Sequence, residues 1–323
     1  MENKKENQKI NIFGESLPLI ISVLLIIYFF YGFFSDENSA GAGGYEGDFK
    51  LIWSNLNLLR GEILSNLNSQ FYTDSRAPLS YILHLLFNPF TYNEEVFRIS
   101  SFFISLVIPL LLYLAITKKY PGLEKKYSFL LAIIITLSPY FRTTSYWALG
   151  ENYGIIFLIL TYLVTFNLLD ELKKNNEIKK IFVIFILCLF SSLAIYFDQK
   201  LIFLPVMVLF FVFNSDLKTQ TKFYSLIFFS LLAMPYLYLI SIWGSIIPTS
   251  AAEARGVGVS FHIFNLGYCL SILAFYIFPF YFCKEKVRFD LKKIFNIKII
   301  ALIFLFLSFL FIIFFIGDFE NLR

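Results

Sequence analysis

Two carboxylates, Glu46 and Asp48, stand on either side of Gly47 shortly after the first long apolar run of the chain. A carboxylate beside a hydroxyl group can accept its proton during attack on an electrophile, and a second one can orient the first or bind a hard metal ion. The same residues also suit a solvated turn, with Asp48 as the cap of a helix that begins at Phe49. Both interpretations stay open from these residues alone.

Further ionisable residues flank or interrupt other apolar runs, and the order of those runs, described next, puts them on one side of a membrane. They are Asp74, Arg76, Arg142, Glu151, Asp198, Lys200, Arg255 and His262. Ionisable groups at membrane depth are costly and usually face a partner or a water-filled cavity. Because acids and bases both collect on this side, the sequence predicts an outward-facing polar cavity.

The composition predicts a membrane protein. Hydrophobic residues make up 58% of the 323 residues and charged residues only 15%, whereas soluble domains carry about 25% charged residues. The net charge of +4 comes from basic clusters at the ends of apolar runs, so it bears on membrane orientation and predicts no nucleic-acid partner. The three cysteines lack CxxC or His-paired spacing, which gives no support to a zinc site or a disulfide framework.

About nine apolar runs approach the length of roughly 20 residues that a membrane helix needs. They occupy residues 17–34, 96–117, 127–140, 150–169, 181–197, 200–213, 223–243, 262–283 and 297–316. The first run is longer than a signal-peptide core of about 7–15 residues, which favours an uncleaved anchor. Lysine and arginine clusters follow every second run, as expected when cytoplasmic loops carry the positive charge.

The sequence therefore predicts an all-α polytopic membrane protein with about nine transmembrane helices. Residues 1–323 are predicted as a single transmembrane domain with a cytoplasmic tail over residues 1–16. The protein is expected to be integral to the cytoplasmic membrane, with its N-terminus in the cytoplasm and its polar cavity outside.

Residues 35–95, the first extracytoplasmic loop, are predicted to contain amphipathic helices that lie flat in the membrane interface. Apolar residues recur at steps of mostly three and four, which defines one helical face. That face is predicted from Phe49, Ile52, Trp53, Leu56, Leu59, Ile63, Leu64 and Leu67. The opposite face is predicted from Lys50, Asn55, Asn57, Arg60, Glu62, Asn66 and Asn68.

A second short helical segment of this loop is predicted between Pro78 and Pro89, because proline disfavours helix at the residue before it. Asn93 is predicted to cap the second span. His84, within the short segment, is interpreted as an interfacial side chain and not as a ligand.

The acidic motif after the first span and a flat-helix loop containing residues 76–81 occur in an order that resembles the GT-C superfamily of glycosyltransferases, whose members use polyprenyl-phosphate-linked sugars. Family members pair their acids as Asp-Glu or Asp-x-Asp, whereas this chain has Glu46-Gly47-Asp48. The segment 137–153 is similar to the Ser-Pro hairpin of that family. Over residues 15–283 the chain looks most like the protein O-mannosyltransferase and lipid A aminoarabinose transferase branch.

The resemblance implies an inverting glycosyltransferase that moves a sugar from a polyprenyl-phosphate carrier to an acceptor hydroxyl. It implies Asp48 as the catalytic base, with Glu46 orienting it or exchanging roles with it. Glu151 is the next acid, a candidate for binding the donor sugar or a metal ion. Candidates for the donor phosphate are Arg255, Lys200, Arg142 and Arg76. Such oxygen ligands would suit Mg²⁺ or Mn²⁺ over zinc, and a metal-independent reaction stays open.

Two other functions stay open as alternatives. A transporter or flippase of lipid-linked sugars usually shows internal repeats and midplane sites, neither of which is seen in this sequence. A polymerase or ligase of lipid-linked glycans resembles proteins with a large late outer loop, whereas here the large loop comes first. The expected partners are the lipid-linked donor, membrane lipid, and a glycolipid, glycan or protein acceptor.

Overall fold

A computed structural model describes most of the first 255 residues, in the ranges 2–38, 43–67, 72–174 and 176–255, with side chains from residue 16 onward except at 252, 254 and 255. By its internal contacts the chain divides into Met1–Ala254 and Arg255–Arg323, and the elements below belong to the first unit, apart from the last residue of its final helix. Every regular element of the described residues is helical. The eighth and ninth predicted spans lie outside the described residues.

Thirteen α-helices follow one another in the described chain. They are α1 Glu2–Phe34, α2 Lys50–Leu59, α3 Ile63–Leu67, α4 Leu79–Phe87, α5 Glu94–Ser105, α6 Val107–Lys119, α7 Lys125–Ile133, α8 Pro139–Tyr146, α9 Glu151–Leu172, α10 Glu177–Phe197, α11 Phe203–Asn214, α12 Thr219–Trp243 and α13 Thr249–Arg255. A π-helical turn, Tyr45–Phe49, leads into α2, and 3₁₀ turns follow α7 and precede α11.

Five segments of this chain are long and apolar enough to cross a membrane. They are Ser16–Phe34, Glu94–Lys119, Glu151–Leu172, Glu177–Phe197 and Thr219–Trp243. Each coincides with a predicted span, so the prediction of an all-helical membrane protein is confirmed for the described residues. The two short predicted spans are helical but shorter than a full crossing. The total of about nine spans stays a prediction.

The second span is divided at Leu106 into α5 and α6. Pro109, the third residue of α6, has no N–H to donate to the carbonyl of Ser105, and its ring crowds that carbonyl. The Leu106 N–H bonds to Phe103 three residues back, at 3.2 Å. The break therefore follows from the proline, while the apolar character runs on through both halves.

The helical face predicted from Phe49 to Leu67 is confirmed for α2 but is divided between two helices, because α2 ends at Leu59 and α3 begins at Ile63. Phe49, Ile52 and Leu56 of the apolar face are buried, at most 3% exposed. Leu64 was placed on that face but is 65% exposed. Asn55 was placed on the polar face but is buried, because its side chain bonds to the Leu51 carbonyl and accepts the N–H of residue 73.

Aromatic rings hold the end of α1 against α5 and α8. Phe29 and Phe33 of α1 both stack on Phe102 of α5, at ring separations of 5.2 and 4.0 Å. Phe29 also stacks on Phe141 of α8 at 5.3 Å. This core fixes the position of α8, whose Thr144 hydroxyl donates to Asn152 of α9 at 2.7 Å and whose Tyr140 hydroxyl donates to Asp198 after α10 at 3.1 Å.

The helices present two chemically different ends. We call the end where α1, α10 and α12 finish and α9 begins the loop end, since residues 35–95 connect there. The opposite end is the basic end, where lysines cluster at the limits of α6, α9, α10 and α12. These lysines are Lys118, Lys119, Lys173, Lys174, Lys179, Lys180, Lys218 and Lys222.

Candidate functional site

Arg76 lies at the centre of a buried ion-pair network at the loop end. Its Nη1 is 3.0 Å from Asp74 Oδ1, and its Nη2 contacts Glu151 Oε1. The Asp74 and Glu151 side chains are only 1% and 4% exposed. With Lys200 and Asp198, which join it as described below, we call this group the Arg76 network. Charges withdrawn from water this far persist only when they are paired.

Two glycines let the helices that carry these residues come close together. Gly150 approaches Ser80 of α4 so closely that a Cβ would lie 3.1 Å from its Oγ. Gly154, one turn after Glu151, would likewise place a Cβ 3.1 Å from Asp198. The start of α9 is therefore pressed against both α4 and the end of α10, which brings three distant parts of the sequence together.

Lys200 completes the network from the turn between α10 and α11. Its Nζ is 3.9 Å from Glu151 Oε1 and 5.3 Å from the centre of the Tyr140 ring. The lysine side chain is 71% exposed, which makes it the most accessible cation of the network. Asp198 accepts the backbone N–H of Lys200 at 3.1 Å and the hydroxyl of Tyr140 at 3.1 Å. The turn is thus internally bonded, and it also lines the network.

Two buried tyrosines support the Asp74–Arg76 segment. Tyr81 donates its hydroxyl to Asp74 Oδ2 at 2.5 Å, and Tyr72 donates to the Arg76 carbonyl at 2.8 Å. Burial, together with the Asp74 carboxylate, raises the pKa of Tyr81 well above its ordinary value, so the phenol stays a donor. Burial alone would lower the pKa of Arg76, but Asp74 and Glu151 outweigh it and raise that pKa, so the guanidinium stays charged.

One carboxylate oxygen of the network is unsatisfied. Glu151 Oε2 is buried and has no hydrogen-bond donor among the described residues. An acceptor left in this state costs about 1–3 kcal/mol. The network therefore offers a place for a donor that is not part of the described chain, such as a water molecule or a ligand hydroxyl.

An apolar groove of about 360 Å³ lies between α10, α11 and α12. Its walls are mainly aliphatic and aromatic, and Gln199 and Tyr236 stand at its loop end. The Gln199 amide donates to Tyr236 Oη at 2.7 Å and to the Ser75 carbonyl at 2.9 Å. We call this groove the Gln199 groove. Because residue 75 lies between Asp74 and Arg76, which form an ion pair, Gln199 joins the groove to the Arg76 network.

Arg142, predicted as a phosphate ligand, lies outside the Arg76 network. Its guanidinium contacts Glu37, donates to the Tyr146 hydroxyl oxygen at 3.1 Å and lies 4.3 Å from the Tyr28 ring centre. A Cβ on Gly32 would clash with it. Because the side chain is 5% exposed and its neighbours are internal, Arg142 fastens the end of α1 to α8.

The structure does not bring Glu46 and Asp48 into contact with the Arg76 network through any hydrogen bond or ion pair of the described residues. Glu46 is exposed, and the half-buried Asp48 accepts the Gly44 N–H at 3.2 Å. Asp48 thus bonds the start of its own turn and does not cap a helix that begins at Phe49.

Tyr45 holds in place the turn Tyr45–Phe49 that carries Glu46 and Asp48, which we call the acidic turn. Tyr45 donates its hydroxyl to Glu94 Oε1 at 2.9 Å, and its ring meets the Trp147 ring edge-on at 6.3 Å. Arg98 lies over both rings, 5.8 and 4.5 Å from their centres. These contacts connect the acidic turn to the end of α8, whose first turn carries Tyr140 against Lys200.

His84 is more buried than an interfacial side chain would be, at 4% exposure. Its Nε2 lies 3.1 Å from the Tyr153 hydroxyl and its Nδ1 3.0 Å from the Asn88 amide. Burial lowers the pKa of His84 to about 4, so the ring is neutral near pH 7. Both ring nitrogens have partners within the described residues, so His84 is a buried, bonded side chain and the interpretation of it as interfacial is wrong.

The predicted acidic ligands do not form a metal site within the described residues. Within the described ranges, no three His, Cys, Asp or Glu side chains come close enough to hold a metal ion, so Glu46, Asp48 and Glu151 form no common site. Arg255 ends α13, and its side chain lies outside the described residues. His262 lies outside them altogether.

Sequence reasoning assigned three members of the Arg76 network and missed the roles of the others. It named Arg76, Lys200 and Glu151, which the fold brings together. Asp74 and Asp198 were noticed only as polar residues, although each stands two positions from an assigned cation. The tyrosines that donate to these two acids gave no signal, because aromatic residues make up 20% of the chain.

The fold and this site together define an all-helical membrane protein with a buried charged network at one end of its helices. Comparison with protein-family models, with curated proteins and with solved structures finds no match to the chain.

Proposed function

We propose that this protein is an inverting membrane glycosyltransferase that takes a sugar from a polyprenyl-phosphate carrier and passes it to an acceptor hydroxyl. The observation that supports this function best is the position of Gln199. This residue ends an apolar groove and bonds into the Asp74–Arg76 segment. A ligand with a long apolar tail and an anionic head requires that combination.

The donor phosphate is proposed to bind at Lys200. The lysine is 71% exposed, and its contact with Glu151 is long, at 3.9 Å. It can therefore turn towards a phosphate without breaking the core of the network. Arg76, which Asp74 and Glu151 hold in place, adds fixed positive charge beside it. Such preorganised cations stabilise the charge that develops on a departing phosphate.

Asp48 is proposed as the base, with Glu46 orienting it, as the resemblance to GT-C enzymes implies. As the acceptor oxygen forms its bond to the anomeric carbon, the bond from that carbon to the carrier phosphate oxygen breaks and the configuration inverts. The acceptor proton passes to the carboxylate, and the carrier phosphate leaves. The free oxygen of Glu151 is proposed to accept a hydrogen bond from a hydroxyl of the donor sugar.

The basic end is proposed to face the cytoplasm, because lysine-rich connections are retained there. The loop end and its network then face outward, where lipid-linked sugars serve as donors. A cysteine at Gly61, where a side chain meets open space, should react with an impermeant thiol reagent in intact cells. A cysteine at Lys174 should react only after permeabilisation. The reverse pattern would contradict this orientation.

Binding of a polyprenyl phosphate tests the head-group site with a matched lysine pair. Lys200 and Lys218 have similar exposure, 71% and 68%, and similar distances to a glutamate, 3.9 and 3.7 Å, but stand at opposite ends of the helices. Lys200→Met should weaken binding by about tenfold or more, the value of a charge-assisted bond. Lys218→Met should leave binding unchanged. Equal affinities for the two variants would contradict the assignment.

Turnover of a polyprenyl-phosphate-linked sugar by the purified protein tests the reaction itself. Asp48→Asn keeps the shape of the side chain and removes its basicity, so it should abolish turnover while the carrier still binds. Glu95→Gln, which changes an exposed acid of the same loop, should retain turnover. Carrier binding without turnover in the wild-type protein, together with its movement across vesicles, would favour a transporter.

A further inference from the structure

A second apolar cavity, of about 530 Å³, lies between α6, α9 and α11 and shares no lining residue with the Gln199 groove. Aliphatic and aromatic side chains of these three helices make up most of its wall, and Lys119 stands among them. We call it the Lys119 cavity. It extends from the middle of the helices towards the basic end, because α6 finishes there.

The two threonines in the wall of the Lys119 cavity use their hydroxyls within their own helix. Thr161 donates its hydroxyl to the Phe157 carbonyl at 2.7 Å, and Thr165 donates to the Thr161 carbonyl at 2.9 Å. Both hydroxyls are therefore satisfied within α9. A chain of methylene groups in this cavity would gain about 25 cal/mol for each Å² of apolar surface taken from water.

Lys119 is the one charged residue among the described residues that line the cavity. Its ammonium lies 5.5 Å from the centre of the Phe166 ring. No carboxylate of the described chain lies within salt-bridge distance of it. The neighbouring Lys118, in contrast, is bonded to Asn167. An unpaired cation thus stands at the end of an apolar cavity.

We infer that the Lys119 cavity binds an anionic phospholipid, with one acyl chain between α6, α9 and α11 and the headgroup phosphate on Lys119. Charge complementarity identifies the headgroup, since basic pockets between membrane helices attract acidic lipids. The Lys119 cavity contains none of the carboxylates and tyrosine hydroxyls that surround Arg76. The inference is therefore independent of the proposed transferase activity.

Native mass spectrometry of the purified protein, equilibrated with equal amounts of phosphatidylglycerol and phosphatidylcholine, tests the headgroup. The wild-type protein should retain phosphatidylglycerol about fivefold over phosphatidylcholine, the effect of one lysine near the membrane surface. Lys119→Ala should lose this preference, and Lys119→Arg should keep it. Lys173→Ala, which changes a 79% exposed lysine at the same end, should also keep it. Equal losses in Lys119→Ala and Lys173→Ala would overturn the inference.

A second variant tests the cavity. Met207 lines it and is 60% exposed, so Met207→Trp should fold and narrow the space for the acyl chain. This variant should release the bound phosphatidylglycerol although Lys119 is intact. Full retention would overturn the cavity assignment. A short-chain polyprenyl phosphate tests the alternative occupant by competing with phosphatidylglycerol for this cavity. If it displaces phosphatidylglycerol, and if Lys119→Ala but not Lys200→Met abolishes that displacement, then the carrier is the occupant of the Lys119 cavity and the inference of a phospholipid site is overturned.

Discussion

One ion pair at the basic end of the helices and one at the loop end differ in burial and in sequence separation. At the basic end Lys174 pairs with Glu171, three residues earlier, at 2.7 Å, and the lysine side chain is 60% exposed. At the loop end Arg76 pairs with Glu151, 75 residues later, and that carboxylate is 4% exposed. The two pairs therefore differ in the exposure of their side chains and in the number of residues that separate the partners.

This difference in burial predicts how much each pair contributes to the stability of the fold. An exposed pair is screened by water and loses side-chain entropy, so it adds little to stability. A buried pair is costly to break, because the partner left behind is an uncompensated charge. The exposed Lys174–Glu171 pair therefore adds little to stability, whereas the buried Arg76 network is costly to break.

The largest expected effect comes from breaking the buried network. Arg76→Met removes the cation between Asp74 and Glu151 and should lower the free energy of unfolding by about 3–5 kcal/mol. Thermal unfolding in detergent, compared with the wild-type protein, measures this loss. A near-neutral result would mean that water reaches the two carboxylates, and the contrast between the two ends would disappear.

A smaller effect concerns the buried imidazole beside the network. Because the pKa of His84 is about 4 in the folded protein and about 6.5 when unfolded, the unfolded chain binds more protons between these values. Stability should therefore fall by up to about 3 kcal/mol as the pH is lowered from 7 to 4. The melting temperature of His84→Gln should fall less over this range. Parallel pH profiles would contradict the burial of a neutral ring.

Two tyrosines allow a hydrogen bond to a charged side chain of the network to be compared with a hydrogen bond to its backbone. Tyr81→Phe removes the donor to the Asp74 carboxylate, and Tyr72→Phe removes the donor to the Arg76 carbonyl. Bonds to charged groups are worth about 1.5–3 kcal/mol and neutral ones about 1 kcal/mol. Chemical or thermal unfolding should therefore show a larger loss for Tyr81→Phe. The opposite order would indicate that Asp74 is satisfied without Tyr81.

The smallest expected effect lies at the basic end. Lys174→Met breaks an exposed pair within one helical turn and should change the free energy of unfolding by less than about 0.5 kcal/mol. The same unfolding assay used for the Arg76 variant measures it directly. A loss as large as that of Arg76→Met would show that the basic-end pairs carry more of the stability than their exposure implies.

Several structural features were predictable because they depend on neighbouring residues. The five long spans follow from continuous apolar runs, and the Asn93 side chain caps α5 by accepting the Val96 N–H at 3.1 Å. The buried face of α2 followed from helical periodicity. Asn55 was assigned to the wrong face because its burial depends on the N–H of residue 73, which no local pattern shows.

The candidate site was predictable only in part. Ionisable residues beside apolar runs were correctly expected to face partners or a cavity, and Arg76, Glu151 and Lys200 meet as a result. Arg142 has the same sequence context but pairs with Glu37 instead. The choice between these partners depends on which side of α8 meets α1, and the aromatic packing at the end of α1 decides that.

The sequence by itself determined that this is a helical membrane protein, because hydropathy and helical periodicity are properties of adjacent residues. Only the tertiary structure decided which charges pair, because Gly150 and Gly154 let α4 and α10 approach the start of α9. It also decided that Gln199 joins an apolar groove to the Arg76 network. Such long-range contacts depend on how the helices pack against one another.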